Sequence, residues 1–394
     1  MNTQWEPVIG LEVHAQLKTD SKLFCPCSAA YGAPPNTNIC PICTGQPGVL
    51  PKPNRKAIEL VIMTGRAFNC RIASYARFAR KQYFYPDLPK NYQISQYEAP
   101  LCTGGAVVIE RDNGGRESIG LNRIHLEEDA GKLLHEIGSR VIDGSLVDLN
   151  RTGVPLMEIV SAPEIHSPDQ AYAYLVALKD VLEYLGVSDC NMEEGKLRCD
   201  ANISLRPKGT AELGTKTELK NMNSFKYIRA GLEYEISRQH DLLNRGGRVI
   251  QETRLWNPGH NESEPMRTKE ESHDYRYFPE PDLVPMIFTE HDLAALQSRL
   301  PELPLERRDR FISHYGLPAY DAGVLTKDRS LADYFEQALI SANAIADANN
   351  DRSVLAKRVS NWITTELLGR LNAAHTTIQE SPVTAENIGI LVGR

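Results

Sequence analysis

The chain has 394 residues, 41% of them hydrophobic and 24% charged, with a formal net charge of −7. That length buries a large core in roughly two or three domains, and the composition is that of a globular protein with no apolar run long enough to span a bilayer. The acidic balance excludes a wholesale nucleic-acid coat and leaves only a local basic patch as a way to meet RNA.

The N-terminus reads Met-Asn-Thr-Gln-Trp-Glu-Pro, without a basic n-region or an apolar h-region, so a cytoplasmic protein is expected. Its eight cysteines are then reduced or metal-bound rather than paired. Residues 9–17 alternate without a break: Ile9, Leu11, Val13, Ala15 and Leu17 take one face of a strand, and Glu12, His14 and Gln16 the other. A carboxylate beside an imidazole on one sheet face is a ready pair of metal-binding groups.

Cys25, Cys27, Cys40 and Cys43 follow, as C-x-C-x12-C-x2-C. Two thiolate pairs so spaced converge on one tetrahedral ion, and four thiolates leave no open position, so a structural zinc is expected. The prolines and glycines around them leave little scope for helix or sheet, which marks residues 25–43 as a loop that needs a staple. Cys70, Cys102, Cys190 and Cys199 stand alone and read as packing residues.

Between Arg66 and Tyr97, cations (Arg66, Arg71, Arg77, Arg80, Lys81) interleave with aromatics (Tyr75, Phe78, Tyr83, Phe84, Tyr85, Tyr92). Stacking faces beside fixed charge suit a nucleotide or a single-stranded RNA end; surface arginines ahead of a core strand are the equal alternative. Asn113-Gly114-Gly115 and Pro207-Lys-Gly209 signal hairpin turns of an antiparallel sheet. In Ile124–Asp129 the alternation puts His125, Glu127 and Asp129 on one face and Glu128 on the other, unless a bulge brings Glu128 across. Glu158 lies inside the apolar run Leu156–Val160, where an unpaired carboxylate is costly, so it meets a cation.

A helix is expected from the N-cap Ser167, with Pro168 at N1 and Gln170 at N3, to a stop at Gly186. Strand alternation returns in Leu197–Arg206, with Arg198, Asp200, Asn202, Ser204 and Arg206 on the polar side, and in Lys216, Glu218 and Lys220. Gly209–Lys216 fails as a P-loop by its spacing, so ATP chemistry would rest on carboxylate-held Mg2+ and scattered cations. A second helix covers about 227–243, and from residue 289 the openings Thr289-Glu-His-Asp, Ser330-Leu-Ala-Asp and Asp351-Arg-Ser-Val begin successive helices broken by Pro301, Pro304 and Pro318. The expected fold class is α+β: a largely antiparallel sheet domain over residues 1–290, then an all-helical domain over 291–394.

Seven segments together carry a resemblance to a known family: Ile9–His14, Ser21–Cys25, Arg80–Lys90, Tyr92–Tyr97, Lys196–Ser204, Glu218–Phe225 and His273–Asp282. In this order, and over almost the whole chain, they resemble the B subunit of the aspartyl/glutamyl-tRNA amidotransferase. The family continues into a small helical tail domain that grips tRNA, and the chain stops at Arg394 near where that tail is expected to begin. The resemblance implies a sheet cradle similar to glutamine synthetase, binding Mg2+ and ATP. There the side-chain carboxylate of Glu or Asp misacylated onto tRNA(Gln) or tRNA(Asn) is phosphorylated and then amidated.

By motif it assigns Glu12, His14, Glu127 or Glu128, Glu158 and Glu218 to Mg2+, with Glu194 a weaker candidate, and places Glu12 and His14 among the catalytic residues. Lys81, Arg206 and Arg276 are candidates for phosphate oxygens, because fixed cations there offset charge on the transferring group. Neither a Ser-Ser-Lys amidase signature nor a free cysteine elbow is present. The resemblance implies instead that ammonia comes from a glutaminase A subunit, with a small C subunit completing a heterotrimer and no membrane involved. The alternatives from other classes are a free-standing ligase similar to glutamine synthetase and a zinc-stabilised RNA-binding adaptor without catalysis.

Overall fold

The computed structural model describes residues 4–111, 114–138, 140–266, 274–346 and 351–394. Asn113 of the first hairpin signal and His273 of the last family segment lie outside them. Backbone contacts divide the chain into two units, one running through Leu182 and from Gly186 to Leu300, the other formed by Glu183–Leu185 and Pro301–Arg394.

In the first unit the elements are β1 (Trp5–Gln16), α1 (Arg55–Ala67), β2 (Arg71–Ile72), β3 (Tyr75–Ala76), β4 (Ala79–Gln82), β5 (Tyr92–Ser95), β6 (Cys102–Thr103), β7 (Ala106–Glu110), β8 (Arg116–Glu128), β9 (Lys132–Ile137), β10 (Arg140–Asp148) and β11 (Pro155–Ser161). They continue as α2 (Pro168–Tyr184), β12 (Leu197–Pro207), β13 (Thr217–Lys220), α3 (Phe225–Asn244), β14 (Glu252–Asn257), β15 (Glu262–Pro265), β16 (Phe278–Pro279), β17 (Met286–Ile287) and α4 (Glu290–Gln297). Among the described residues ten strands form one sheet in the order β15-β14-β13-β12-β1-β11-β8-β6-β2, with β7 also on β8. Every pairing in it is antiparallel except β13 with β14.

The alternation of β1 explains its place at the centre. Ile9, Leu11, Val13 and Ala15 are all 0% exposed, on the face that meets the core, and Ile203, Ala201 and Leu219 continue that face on the neighbouring strands. Burying one such Ile or Leu side chain stabilises the fold by roughly 1.5–3 kcal/mol, so a one-residue slip that turned this face to solvent would be prohibitive. Register is thereby set across strands far apart in sequence. Helix α2 begins as its cap signal implies: Ser167 accepts from the Gln170 N–H at 3.1 Å, and Gln170 Oε1 accepts from His166 N at 2.8 Å. It ends at Gly186, whose φ of +65° is left-handed.

The second unit holds α5 (Pro304–Tyr315), α6 (Ala319–Thr326), α7 (Arg329–Ile345), α8 (Arg352–Asn361), a π-helical turn over Trp362–Leu367, α9 (Leu368–Ala373) and α10 (Ala385–Gly393). Phe311, Leu325, Phe335, Leu339, Val359 and Ile363 meet in its core. Two details differ from the sequence reading. Helix α4, read as the first member of the helical domain, packs on α1 in the first unit, buries Leu296, and is followed by Arg299, which pairs with Glu59 at 2.8 Å. Periodicity marks a helix without naming the surface it covers. Helix α7 is capped by Asp328 accepting from Leu331 N, not by Ser330, because the carboxylate two residues earlier reaches the free N–H groups first.

Candidate functional site

The polar face of the sheet is laid out in rows, since residues opposite one another in antiparallel strands project to the same side. One row runs Arg198 on β12, His14 on β1, Glu158 on β11 and His125 on β8. Glu127 stands two residues beyond His125 on the same face. His14 Nε2 is 3.2 Å from Glu158 Oε2 and 3.8 Å from Glu127 Oε1. His125 Nε2 lies 3.6 Å from Glu158 and 3.5 Å from Glu127, and Ser95 donates to Glu127 Oε2 at 3.0 Å. One ligand atom each from His14, Glu127 and Glu158 can be chosen so that all lie within 4.8 Å of one another. Octahedral Mg2+ with bonds of about 2.1 Å places neighbouring donors roughly 3 Å apart, so one imidazole and two carboxylates at this spacing fit a hard divalent cation.

Electrostatics keeps these donors poised. Burial acts to raise the pKa of Glu158, but His125, His14 and Lys81 outweigh it and hold the carboxyl well below its usual range. Glu127 is likewise lowered, burial being opposed first by the hydrogen bond to His125. Burial acts to depress His14, and the hydrogen bond to Glu158 together with the charges of Glu158 and Glu127 more than reverses that. Beneath the row, Asp129 is 3% exposed and accepts from Gln16 Nε2 at 2.8 Å and from Arg198 at 2.9 Å, which fixes the floor between β1 and β12.

The next row holds a second acidic group. Glu12 faces Asp200 across β12, and Asn202 Nδ2 donates to Glu12 Oε1 at 2.9 Å. Glu218 sits opposite Asn202 and accepts from Thr253 at 2.6 Å, while Lys220 Nζ bridges Asp200 at 2.9 Å and Glu218 at 3.1 Å. Burial, then the charge of Glu158, raises the pKa of Glu12, with Glu218 and Asp200 adding to the rise and His14 opposing it. Glu218 and Asn202 lie one row further along, and one lysine among three carboxylates leaves this patch of the face negative.

The remaining sequence candidates divide. Lys81 on β4 is held charged: burial acts against the ammonium, but the fields of Glu127 and Glu158 prevail, and its Nζ stands 4.8 Å from the centre of the Tyr275 ring. Arg276 lines a cavity of about 470 Å3 with Lys81, yet its own side chain is exposed and lies 3.6 Å from Asp274. Glu128 is not on the metal face. Alternation runs unbroken to the end of β8, so Glu128 points to the opposite side, where it accepts from Ile94 N at 2.9 Å and pairs with the buried Lys90. Arg206 pairs with Glu6 at 2.9 Å, eight positions along β1 from His14, or about 27 Å at strand rise. Glu194 is paired with Lys196 at 2.7 Å in the turn before β12. Two residues that the sequence reading did not select belong to the face, His125 and Arg123, the latter 3.8 Å from Glu158. Their signal was present in the same alternation that picked Glu127.

Apart from this face, Cys25, Cys27, Cys40 and Cys43 bring four sulfurs within 4.8 Å of one another, with Cys40 and Cys43 Sγ at 3.9 Å. Edges of a tetrahedral ZnS4 site with bonds of ~2.3 Å are about 3.8 Å, so the cluster fits a metal ion of that size. The hydrogen bond from Cys25 is the main cause that lowers the Cys43 thiol to about 4, and the ammonium of Lys22, 1% exposed, lies 3.6 Å from Cys43 Sγ.

Residues 7–294 match the family described as GatB/GatE catalytic domain. The chain belongs to that family. B subunits of the aspartyl/glutamyl-tRNA(Asn/Gln) amidotransferase are similar to it over nearly its whole length. The one from Caldanaerobacter subterraneus subsp. tengcongensis is 56% identical over 383 residues, 97% of this chain and 77% of the relative. Those from Carboxydothermus hydrogenoformans and Moorella thermoacetica are 54% and 52% identical, covering 98% and 99% of this chain and 78% and 79% of the relatives. In this GatB/GatE member the matched region contains the sheet, both acidic rows and the cysteine cluster. Among the described residues no helix is long and apolar enough to cross a membrane.

Proposed function

We propose that the chain is the carboxylate-activating subunit of a tRNA-dependent amidotransferase, acting on Glu-tRNA(Gln), Asp-tRNA(Asn) or both. The observation that carries this reading is the His14–Glu127–Glu158 cluster with Lys81 held charged beside it, on a floor of four hydrogen-bonded strands. A carboxylate is a poor electrophile, so an oxygen of the substrate's side chain first attacks the γ-phosphorus of ATP and the bond to ADP breaks. Ammonia then adds to the acyl carbon, phosphate leaves, and one proton is lost, giving the amide. His14, Glu127 and Glu158 would hold Mg2+, with Glu12, Asp200 and Glu218 as candidates for a second ion, and the metal would supply charge neutralisation at phosphate oxygens during transfer.

The chain's own groups do the rest. Lys81 sets a fixed positive charge near the transferring group, and Arg123 sets another beside Glu158. Asp129 locks Arg198 next to His14 so that the imidazole keeps its place. In this reading the sheet is the cradle that the family resemblance likens to glutamine synthetase, zinc occupies the cysteine cluster, and ammonia arrives from a glutaminase A subunit in a heterotrimer with a small C subunit.

The test combines the chain with those partners, misacylated Glu-tRNA(Gln), Mg2+-ATP and ammonium, and follows ADP and Gln-tRNA together. Equal amounts of both, lost in Glu158→Gln while glutamine hydrolysis by the partner persists, are expected. ATP turnover on free glutamate without tRNA would overturn the assignment.

A further inference from the structure

The cations on and beside β4 are held in two different ways. Arg80 donates twice to Glu280, at 2.7 and 2.8 Å, and reaches Asp282 at 3.2 Å, while the buried Lys90 pairs with Glu128. Lys81, next along β4, projects to the opposite side of the strand from Arg80. Among the described residues its ammonium makes neither an ion pair nor a hydrogen bond, and Glu127 and Glu158 act on it only as charges at a distance. What approaches it is aromatic. Lys81 Nζ is 4.8 Å from the centre of the Tyr275 ring and 5.8 Å from that of Tyr83. The two rings stand at 73° to each other with centres 6.2 Å apart, so the ammonium lies in the corner between them.

The backbone is strained to hold that corner. The chain from Tyr275 runs beside β4: Gln82 N donates to Tyr275 O at 3.0 Å, Gln82 Nε2 donates to Arg276 O at 3.1 Å, and Phe278 of β16 faces Arg80. Arg276 has a φ of +43°, in the left-handed region that a residue with a side chain seldom adopts, and such strain persists only where the surroundings fix it. Beyond it, Tyr277 packs edge-on to Tyr275 with centres 6.0 Å apart and stacks on Tyr97 at 4.1 Å, 6° from parallel. Tyr85 braces Tyr83 from the other end at 5.9 Å. A series of five rings thus fixes the two that flank Lys81.

We infer that Tyr275 and Tyr83 are positioning residues for Lys81, holding its ammonium by cation–π attraction so that its three N–H donors stay available to an anionic ligand. A carboxylate in their place would neutralise the charge and occupy the donors, as Glu280 does for Arg80. A ring face attracts the cation through its quadrupole and leaves the charge uncancelled. Lys81, Tyr83 and Tyr275 line the same cavity of about 470 Å3, so an anion entering it meets an ammonium with donors to spare. The role rests on the proposed reaction, in which that anion is the carboxylate being phosphorylated or the phosphoryl group in transit.

The test replaces Tyr275 by Phe and by mono-, di- and trifluorophenylalanine in the full chain. Fluorine withdraws negative charge from the ring face with little change of shape, and the Tyr275→Phe reference keeps loss of the hydroxyl constant through the series. Each chain is melted with Lys81 present and with Lys81→Met, and the Lys81 set is assembled with its partner subunits to measure kcat for coupled ADP and Gln-tRNA formation. With Lys81 present, the melting temperature is expected to fall stepwise by about 2 °C and kcat by roughly tenfold across the series, while the Lys81→Met set melts at a constant temperature. The same melting behaviour in both sets would overturn the contact. A stepwise melting series with constant kcat would overturn the positioning role. A wild type that does not consume ATP would overturn the proposed function instead, and the melting series then decides the contact by itself.

Discussion

Glu12→Gln is expected to make the metal-free protein more stable and its response to Mg2+ weaker. Glu12 is opposite Asp200 and diagonal to Glu158, each such like-charge neighbour on an adjacent strand destabilises by roughly 0.2–1 kcal/mol, and Glu218, two strands away, adds to the repulsion. Glutamine keeps an oxygen to accept from Asn202, so the variant relieves repulsion without losing that hydrogen bond. A gain of about 1 kcal/mol follows, which is ~2 °C in melting temperature for a unit of this size. With Mg2+ at 100 times its Kd the wild type gains about 2.7 kcal/mol. A site weakened ~30-fold, within the ~10–100-fold range for disturbing a metal's surroundings, retains only about 0.9 kcal/mol of that. Differential scanning fluorimetry of both proteins, after chelation and across an Mg2+ titration, reads the two effects with opposite signs. A lower melting temperature for the metal-free variant, or an Mg2+-induced shift equal to that of the wild type, would refute the reasoning.

Glu127→Gln and Glu128→Gln should separate cleanly: the first weakens Mg2+-dependent ATP turnover, while the second strands the buried Lys90 ammonium and costs about 3–5 kcal/mol in urea unfolding with the Mg2+ dependence intact. Matching losses of metal dependence would mean that Glu128 reaches the metal face after all. At the cysteine cluster, Lys22→Met removes the cation beside Cys43 and should let a chelator strip zinc ~10–100-fold more readily; zinc retention as in the wild type would show Lys22 to be a bystander. In the helical unit, Arg310 and Tyr315 contribute, with Arg307, to lowering Glu336 to about 2 against burial. Its ionisation therefore stabilises the fold above the ordinary carboxylate range, and that stability is lost as pH falls from about 4.5 toward 2. Partial exposure discounts the effect to ~1.5–2 kcal/mol. Glu336→Gln should be destabilised by that amount at pH 7 and by much less near pH 3, and a pH-independent difference in urea midpoints would contradict the linkage.

The period of two is a local property of the chain, and it was enough to assign faces. Ile9, Leu11 and Val13 went to the core, Glu12 and His14 to the polar side, and Glu127 rather than Glu128 to the side that His125 shares. The cysteine spacing was equally legible, because two short turns bring their thiolates together whatever surrounds them. Helix caps could be read to within a residue or two, and failed only where a neighbour such as Asp328 competed for the same N–H groups.

What no single segment contains is register. His14 meets Glu158 and Arg198 because β1 pairs with strands more than a hundred residues away, and that alignment is set by burying all the apolar faces at once. The same register carries Arg206 to Glu6, away from the cluster, though its alternating pattern is indistinguishable from that of Arg198. It also brings Val8, Gly10, Asn202 and Ser204 into one floor, a cavity that becomes visible only once two strands are laid side by side. Sequence alone determined which side chains share a face; the pairing of distant strands decided which of them meet, because a hydrogen-bonded register is a property of the whole sheet.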